Sequence, residues 1–262
     1  MRVDLYLTAE GYFPSRSLAQ AEIAKGNVYV DGNPVKRASA QIEDGPHTVE
    51  VRDPMPYVSR GGLKLAGALD TFGLNVSGLR ALDIGASTGG FTDVLLQRGA
   101  AHVTALDSGS DQLHPRLRAD SRVLCLEHCN ARALSSAPIL PPYDLAVMDV
   151  SFISQTYILP GLSDALAADG YAVTLIKPQF EAGRAAIGRG GIVRREADRM
   201  AAILRVLESA SACRLLCLGL MRSPIDGGDG NHEFLVCLKK AQDCPPSPDS
   251  STVRRMLGGS TL

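Results

Sequence analysis

The stretch LDIGASTGGFTDVLL, residues 82–96, decides the fold of most of the chain. It combines an apolar segment that ends at Ile84, a loop of small residues, and a segment with helical spacing that begins near Thr88, which predicts a strand, a turn and a helix. A loop of small residues lets a ligand approach the backbone at a helix N-terminus, where N–H groups lack partners. Because ligands of open α/β sheets bind outside the carboxyl ends of the strands, the stretch predicts a ligand site here.

The same alternation of strand, turn and helix continues downstream. The segments with strand character are HVTALD, RVLCLEHC, YDLAVMDV and GYAVTLIK. A helix is predicted near residues 111–119 and a long helix over residues 195–211. Such alternation predicts a doubly wound, mostly parallel sheet of seven strands in an α/β, Rossmann-like domain. RLLCLGLM and HEFLVCLKK, which are joined by a glycine-rich turn, predict a closing antiparallel pair.

Residues 1–52 are predicted to form a separate, small α+β domain. RVDLYLTAEG and PSRSLAQAEIAKG have the spacing of helices, and Asp31-Gly32 marks a hairpin turn in NVYVDGNPV. The prolines in DPMPYV predict a linker over residues 53–58, which precedes the larger domain, residues 59–240. Residues 241–262 are rich in proline, serine and glycine, and we expect them to be disordered.

Composition limits the classes of function. The 262 residues carry a formal net charge of −1 and are 45% hydrophobic, which is typical of a globular protein without an overall basic surface. The amino terminus, MRVDLYLTAEGY, lacks the apolar core of a signal peptide, and no apolar run is long enough to span a bilayer. We therefore expect a soluble, cytoplasmic, monomeric protein that does not bind membranes.

Six cysteines, at positions 125, 129, 213, 217, 237 and 244, raise the question of a metal site. The first two pairs have C-x-x-x-C spacing, whereas zinc knuckles usually have tighter C-x-x-C turns. VLCLEHC and CRLLCLGL have the character of strands, where cysteine serves as a small apolar residue. We therefore expect reduced, structural cysteines and no metal.

The loop GASTGG, residues 85–90, departs from the dinucleotide fingerprint G-x-G-x-x-G because its third position is Ser87. It fits an adenosyl ligand with a small amino acid tail, as in enzymes that use S-adenosyl-L-methionine, better than a pyrophosphate. Asp107 follows the next strand, where an acid typically binds ribose hydroxyls, and Asn130 is placed to read the adenine edge. The alternative is an ordinary strand-to-helix turn with a strand-end carboxylate. The candidate cofactor-binding residues are Asp83, Gly85, Ala86, Ser87, Thr88, Gly89, Gly90, Phe91, Asp107, Asn130 and Asp149.

The acceptor of a methyl group is expected at the ends of the fourth and fifth strands. Methyltransferases that act on base amines usually have a segment similar to N-P-P-Y after strand four, whereas this chain has Asp149-Val150-Ser151-Phe152. The segment PPYD, residues 141–144, precedes that strand and therefore lies at its other end. The sequence disfavours a planar base amine as the acceptor.

The fifth strand, in GYAVTLIKPQF (residues 170–180), ends on Lys177. Burying an ammonium beside an apolar strand is costly unless the group is paired or used. A hydroxyl acceptor needs a base, and a lysine serves as one when desolvation or nearby positive charge, here the cofactor's sulfonium, lowers its pKa. We expect Lys64 to add a second cation, Asp149 to hold Lys177, and Glu233 to orient Lys64.

Each of these four residues also has a structural explanation. Lys64 suits a solvated helix face, Asp149 a helix cap, and Glu233 a surface strand. Lys177 suits a lysine whose stem covers apolar surface at the edge of a sheet. The four gain weight together because strand-end geometry brings separate segments to one cleft.

On these residues the chain resembles the TlyA, or hemolysin A, family. The segments that carry the resemblance, which extends from the amino terminus to about Lys240, are SRGGLKLAGAL, LDIGASTGGFTDVLL, MDVSFIS, LIKPQFE and GNHEFLV. The resemblance implies an FtsJ-like catalytic domain and, over residues 1–52, an RNA-binding domain of ribosomal-protein type. It also implies methyl transfer from S-adenosyl-L-methionine to a ribose 2′-hydroxyl of ribosomal RNA, typically on a cytidine within an assembled ribosomal subunit. The family's lysine, aspartate, lysine, glutamate tetrad falls on Lys64, Asp149, Lys177 and Glu233.

The cationic residues expected to contact RNA lie in both domains; they are Arg2, Arg16, Lys25, Lys36, Arg37, Arg60, Arg184 and Arg189. Through Asp53 the amino-terminal segment carries eight acids against six Lys or Arg, a net charge of −2, which weakens the expectation of tight, independent binding. The alternative is a solvated helical face. GRAAIGRGGIVRR, residues 183–195, is more basic, and its glycines predict a loop that becomes ordered on RNA.

Two other functions compete with this interpretation. The hemolysin name suggests a membrane-active protein, but the sequence has neither a membrane-spanning segment nor an obvious cationic amphipathic helix. The second is a non-catalytic RNA-binding protein that retains a cofactor-binding fold, which the intact tetrad opposes.

Overall fold

The computed structural model describes residues 1–13, 15–43, 45–52, 55–228, 230–243, 245–259 and 262 of the chain. Within them the chain divides into two compact units, Met1–Ser59 and Arg60–Leu262. Two residues of the expected linker, Asp53 and Pro54, and one of the six cysteines, Cys244, lie outside the described residues.

The first unit consists of a small antiparallel sheet and two helices. The helices are α1 (Val3–Ala9) and α2 (Arg16–Ala24), and the strands, in sheet order β2-β1-β3, are β1 (Val28–Val30), β2 (Asn33–Pro34) and β3 (Val49–Val51). Ser15 caps α2, since its Oγ accepts a hydrogen bond from the N–H of Leu18. Asp31 and Gly32 adopt φ values of 51° and 77°, as a two-residue hairpin turn requires, so the predicted turn is confirmed.

The second unit is an α/β domain. Its helices are α3 (Gly61–Phe72), α4 (Gly90–Gln97), α5 (Pro115–Arg118), α6 (Leu159–Ala165), α7 (Pro178–Glu181), α8 (Glu196–Ala212) and α9 (Ser250–Met256). Its strands are β4 (Arg80–Ile84), β5 (His102–Leu106), β6 (Val123–Leu126), β7 (Tyr143–Met148), β8 (Leu166–Ile176), β9 (Leu215–Arg222) and β10 (Phe234–Lys240). Short 3₁₀ turns cover Ala131–Ser136, Gln155–Tyr157, Arg184–Ala186 and Arg189–Gly191.

The strands of the second unit form one sheet in the order β6-β5-β4-β7-β8-β10-β9. Neighbours from β6 to β8 are parallel, whereas β10 runs antiparallel to both β8 and β9. This is the mostly parallel, Rossmann-like sheet with a closing antiparallel strand that the sequence predicts. Along the chain, β5 and β6 are added on one side of β4, and β7 and β8 are then added on its other side. The carboxyl ends of β4 and β7 therefore flank the crevice in which sheets of this kind bind ligands.

The central strands are nearly continuous apolar runs because both faces of the sheet are covered. In β7, Ala146, Val147 and Met148 are at most 1% exposed. Helix α8 contributes Ile203 and Val206, which are fully buried in the same core as β7. This packing holds the strand ends, and the side chains that follow them, in fixed positions.

Two helices of the second unit differ from the bounds that the sequence suggests. The helix after the first strand begins at Gly90, with Gly89 as its N-cap, rather than near Thr88. The helix expected near residues 111–119 is a single turn that starts at Pro115. Proline favours the first turn of a helix because it has no N–H to satisfy and its φ is already helical.

The five described cysteines form no disulfide. Cys125, Cys217 and Cys237 lie in β6, β9 and β10, in agreement with their reading as strand residues. Burial raises the pKa of the Cys217 thiol to about 11 and that of the Cys237 thiol to about 12. These two side chains therefore remain protonated and pack as small apolar groups.

The tail of the chain departs from the sequence-based expectation of disorder. Asp249 caps α9, since its carboxylate accepts a hydrogen bond of 2.8 Å from the N–H of Thr252. Val253 is fully buried, and Leu257 and Leu262 are at most 5% exposed, in the core shared with α8. Val253 and Leu257 are four residues apart and lie on one face of the helical segment. This short apolar pair overrides the proline- and serine-rich composition around it.

Replacing Val253 with alanine is expected to lower the free energy of unfolding by about 2 kcal/mol, because two buried methyl groups are lost and a cavity is left. Urea denaturation followed by circular dichroism measures the change. The control is Ser250→Ala at the exposed first position of the same helix, which is expected to change stability by less than about 0.5 kcal/mol. Equal stability of the two variants would show that α9 adds nothing to the core.

Candidate active site

The glycine-containing loop after β4 lies directly against the end of β7. Gly85 has a φ of 82°, and a Cβ atom there would lie 2.5 Å from the carbonyl oxygen of Asp149. Gly89 has a φ of 96°, and its Cβ would lie 2.3 Å from a methyl carbon of Leu117. Neither position accepts a larger residue without a shift of the backbone or the core. These two glycines therefore let the loop pack closely on both sides.

Asp107, which follows β5, fastens the same loop. Its Oδ2 accepts a hydrogen bond of 2.8 Å from the N–H of Ser87, and its Oδ1 accepts one of 2.8 Å from the N–H of Gly109. The carbonyl of Asp107 accepts the N–H of Cys129, which places exposed Asn130 at the next strand end. Each carboxylate oxygen retains a second lone pair, so Asp107 remains able to accept ribose hydroxyls.

The loop residues predicted to bind a cofactor are not equally accessible. Ser87 and Thr88 are exposed and Gly85 is partly exposed, whereas Ala86, Gly89 and Gly90 are buried. Phe91 is 3% exposed, so its ring packs in the interior at the start of α4 instead of facing the loop surface. The structure thus brings the backbone of the loop, with Ser87, Thr88, Asp107 and Asn130, to one edge of the sheet.

Asp83 lies fully buried beneath this loop. Its Oδ2 accepts a hydrogen bond of 2.6 Å from the hydroxyl of Thr92, whereas its Oδ1 has no partner among the described residues. Burial raises the pKa of the Asp83 carboxyl to about 7, and the negative charges of Asp149 and Asp107 act in the same direction. A buried oxygen without a partner, next to a loop that exposes backbone, fits a ligand that brings a hydrogen-bond donor such as an ammonium group.

Asp83 is expected to make stability depend on pH. Its pKa is about 7 in the folded protein against an ordinary value of 3.8, so between about pH 4 and pH 7 only the folded state keeps the proton. The free energy of unfolding should therefore fall as the pH rises through this window. Asp83→Asn removes the effect, and its stability relative to the wild type should rise between pH 5 and pH 8 by about 2.5 kcal/mol.

Urea unfolding at several pH values tests this expectation. Asp111, whose side chain is 95% exposed, supplies the control variant Asp111→Asn, which should follow the wild type. Parallel pH curves for Asp83→Asn and the wild type would contradict the assignment of a buried, protonated carboxyl.

Lys177 and Asp149 form an ion pair at the ends of β8 and β7. Lys177 Nζ lies 2.6 Å from Asp149 Oδ1 and donates a hydrogen bond of 2.8 Å to the hydroxyl of Ser151. The two side chains are only 12% and 22% exposed. The sequence-based expectation that Asp149 holds Lys177 agrees with this geometry.

Lys64 and Glu233 form a second, more deeply buried pair. Lys64 Nζ, on α3, donates a hydrogen bond of 2.5 Å to Glu233 Oε2, and the side chains are 11% and 3% exposed. Gly227 packs on the carboxylate, since a Cβ there would lie 2.7 Å from Glu233 Oε1. Removal of either partner would leave a buried charge without compensation.

The register of the sheet brings these two pairs to the same end. Ile176 of β8 faces Phe234 of β10, so Lys177 and Glu233 occupy the next opposing positions. Asp149 follows β7, which pairs with β8 in parallel, and its N–H donates to the carbonyl of Ile84 at the end of β4. The four residues of the predicted tetrad therefore lie at the same end of the sheet, and Asp149 is the one in contact with the glycine loop.

Sequence reasoning did not single out Glu181, which joins the segments that follow β7 and β8. This side chain is 3% exposed; its Oε2 accepts a hydrogen bond of 2.5 Å from Ser154 Oγ, and its Oε1 accepts one of 2.9 Å from the N–H of Gln155. Burial raises the pKa of Glu181. The available signal in the sequence was the position of this carboxylate, four residues after Lys177 in LIKPQFE. The sequence alone does not show whether an acid at that position is buried or exposed.

Phe152 is the second residue that sequence reasoning missed. Its side chain is 92% exposed, and its backbone φ of 63° is unusual for a non-glycine residue. Its ring lies 5.2 Å from that of Phe180, whose centroid is 5.9 Å from Lys177 Nζ. An aromatic residue in the polar loop after β7 was the available signal, but its exposure follows only from the structure.

The basic residues of the first unit are partly committed to buried acids. Arg2 and Arg16 both bind Asp4, which is fully buried, at 2.9 and 3.0 Å, and the Arg2 guanidinium holds the pKa of Asp4 well below its usual range. Lys25 pairs with buried Glu22 at 2.7 Å. These acids therefore organise the basic side chains instead of opposing them at the surface.

The remaining cations expected to contact RNA are exposed in the structure. Lys36 and Arg37 line a cavity of about 540 Å³ in the first unit. Arg60 lies at the start of the second unit, and Arg184 and Arg189 lie in the short 3₁₀ turns of the glycine-containing loop after α7.

The Rossmann-like sheet and its strand-end site match a known class of enzyme. Residues 57–240 match the model of the FtsJ-like methyltransferases, and residues 1–45 match that of the S4 domain. The fold and the site therefore define a methyltransferase of the Rossmann-like class that carries an amino-terminal S4 domain.

Comparison along the whole chain identifies the particular family. The chain is 44% identical to the 16S/23S rRNA (cytidine-2′-O)-methyltransferase TlyA of Mycobacterium tuberculosis, over 92% of this chain and 91% of that protein. It is 42% identical to Hemolysin A of Brachyspira hyodysenteriae, over 90% of this chain and 98% of that protein. A solved structure from Streptococcus thermophilus, 39% identical, superimposes with a TM-score of 0.76 over 98% of this chain and 94% of that one. The chain belongs to the TlyA, or hemolysin A, family of FtsJ-like methyltransferases.

Proposed function

We propose that this protein transfers a methyl group from S-adenosyl-L-methionine to a ribose 2′-hydroxyl of ribosomal RNA, on a cytidine within an assembled ribosomal subunit. The observation that carries the proposal is the Lys177–Asp149 pair, 2.6 Å apart, at the strand ends beside the glycine loop. The 44% identity to a 16S/23S rRNA (cytidine-2′-O)-methyltransferase of Mycobacterium tuberculosis supports the same reaction. We place the reaction in the cytoplasm, where ribosomal subunits assemble, and expect the protein to act as a monomer.

The residues around the loop after β4 fit the proposed cofactor. Asp107 would accept hydrogen bonds from the ribose hydroxyls, and exposed Asn130 would bind the edge of the adenine. Oδ1 of buried Asp83, which has no partner among the described residues, would face the ammonium group of the cofactor. When bound, the cofactor supplies a methyl group made electrophilic by its sulfonium. The close packing of Gly85 against Asp149 holds the cofactor loop next to the acceptor side of the site.

Lys177 is the proposed base. As the neutral amine, its Nζ would accept the proton of the 2′-hydroxyl as the oxygen of that hydroxyl takes the methyl group, and the cofactor's sulfur would be left as a neutral thioether. The hydrogen bond to Ser151 and the contact with Asp149 fix the direction of the Lys177 amine. Positioning of this kind contributes to the rate in addition to the proton transfer itself.

The Lys64–Glu233 pair has a supporting role in this proposal. Glu233 holds the Lys64 ammonium beside the strand ends, which adds positive charge where the acceptor oxygen gains negative charge. The exposed ring of Phe152, packed on Phe180, offers a stacking surface for the base of the target nucleotide. In this proposal both units of the chain contact the RNA, and together they determine which site is methylated.

Lys177→Ala is expected to lower the methylation rate by about 100- to 10,000-fold while cofactor binding is retained, because the variant loses the base but not the cofactor loop. The assay uses purified ribosomal subunits and a cofactor labelled in its methyl group, and reverse-transcription stops at low nucleotide concentration map the product. The control is Lys239→Ala, since Lys239 pairs with Asp169 at the other end of the sheet. Full turnover by the Lys177 variant would remove the proposed mechanism.

Arg37→Ala is expected to weaken binding to ribosomal subunits and to reduce the slope of log affinity against log salt by about 0.7 to 0.9, the value for one phosphate contact. The matched control is Arg52→Ala, which removes the same charge from the first unit but takes it from a residue paired with Glu50 at 2.9 Å. Binding is measured at several salt concentrations. Identical slopes for the wild type and Arg37→Ala would exclude this contact.

No observation on the described residues favours the alternative of a membrane-active protein. In the part of the chain that the structure describes, no helix has both the length and the apolar character that crossing a membrane requires. Dye leakage from liposomes, compared between the wild type and Lys177→Ala, separates the two functions.

A further inference from the structure

A cavity of about 440 Å³ opens beside the strand-end residues, and the reaction proposed above uses only the Phe152–Phe180 pair on its border. It lies among the loop after β7, the 3₁₀ turn Gln155–Tyr157 and helix α7. The residues on which the argument depends are Arg132, Phe152, Ser154, Tyr157, Phe180 and Arg205.

The cavity is bordered by unusually exposed aromatic rings. Among the residues that the structure describes, Phe152 and Tyr157 are the two most exposed aromatic side chains, at 92% and 60%. Most large apolar side chains of the unit are buried, so two such rings at one opening mark a binding surface. Base-stacking sites in RNA-binding proteins are made of rings exposed in this way.

Two arginines supply positive charge at the same opening. The guanidinium carbon of Arg132 lies 4.6 Å from the centre of the Tyr157 ring. Arg205 is exposed and uses Nη1 to donate a hydrogen bond of 2.6 Å to the carbonyl of Glu181, and an arginine has five such donors. The Tyr157 ring, with the Arg132 guanidinium against it, offers a surface on which a base can stack. The guanidinium of Arg205 can bind a phosphate.

The floor of the cavity is rigid. Buried Glu181 accepts hydrogen bonds from the hydroxyl of Ser154 and the N–H of Gln155. Ser154 Oγ also accepts the N–H of Thr156, so it caps the turn that carries Tyr157. The carboxylate of Glu181 is thus occupied, and the cavity is formed before a ligand arrives.

We propose that this cavity binds a nucleotide of the substrate RNA that is adjacent to the methylated one, with its base stacked on the Tyr157–Arg132 face and its phosphate on Arg205. The inference rests on the proposed function, and Phe180 supplies the link because it borders the cavity and lies 5.9 Å from Lys177 Nζ. The substrate must then present at least two unstacked nucleotides, which selects loops and distorted helices over regular duplex RNA.

The test compares Tyr157→Ala with the wild type on each of the two purified ribosomal subunits. We expect the KM for the substrate subunit to rise about 10- to 100-fold, the loss of one stacked base, while kcat and cofactor affinity are unchanged. Tyr157→Phe keeps the ring and should keep the wild-type KM. The matched control is Tyr171→Ala, because Tyr171 also lies under a cation, Lys239 at 5.5 Å, but near the other end of β8.

Arg132→Ala provides an independent variant and is expected to raise the same KM, with a smaller additional effect when combined with Tyr157→Ala. Ultraviolet crosslinking followed by mass spectrometry should join Tyr157 to a nucleotide other than the methylated one. An unchanged KM for Tyr157→Ala would overturn the proposal. A fall in kcat alone, or a crosslink to the methylated nucleotide, would overturn it by placing the target itself in the cavity.

Subunit binding measured without cofactor separates this inference from the proposed function. If the wild type binds subunits but transfers no methyl group, the proposed function fails, while the affinities of Tyr157→Ala and Tyr171→Ala still decide the role of the cavity.

Discussion

The contact between Lys177 and Asp149 requires that β7 and β8 end side by side. The pairing of these strands and the core packed on them keep their ends in that position. Parallel pairing of the two strands sets their relative height, and the hydrogen bond from Asp149 N–H to Ile84 extends the arrangement to β4. Gly85 then lets the glycine loop lie against Asp149, where any larger residue would collide. Through the backbone of Asp149, the ion pair with Lys177 is thus joined to the glycine loop.

Charge is handled differently in the two units, although both bury carboxylates. In the second unit Lys64 and Lys177 each have one acidic partner, and the pairs lie at the end of the sheet where ligands are expected. In the first unit buried Asp4 binds two arginines whose side chains are 39% and 48% exposed. A buried acid that holds exposed cations creates a fixed basic surface in a domain whose net charge is negative. Net charge alone therefore does not describe how charge is distributed on the surface of this domain.

The mostly parallel sheet with its closing antiparallel strand, the hairpin at Asp31-Gly32 and the pairing partners of Lys64 and Lys177 follow from patterns that the sequence displays. They rest on local periodicity, turn chemistry and the rule that parallel strands end together. Features that depend on long-range packing were out of reach. The burial of Phe91 and the exposure of Phe152 cannot be told from residue type. Helix α9 was missed because two apolar residues in a polar, proline-rich tail carry little signal until a core is present to receive them.

The antiparallel ladder between β8 and β10 has a consequence for how the sheet assembles. Side chains alternate between faces along a strand, so a slip of one residue would turn Glu233 away and strand the Lys64 ammonium in an apolar setting. Mispaired arrangements of the last strand would thus carry an electrostatic penalty on top of lost packing. The buried pair therefore favours the native alignment of the last strand over a slipped one.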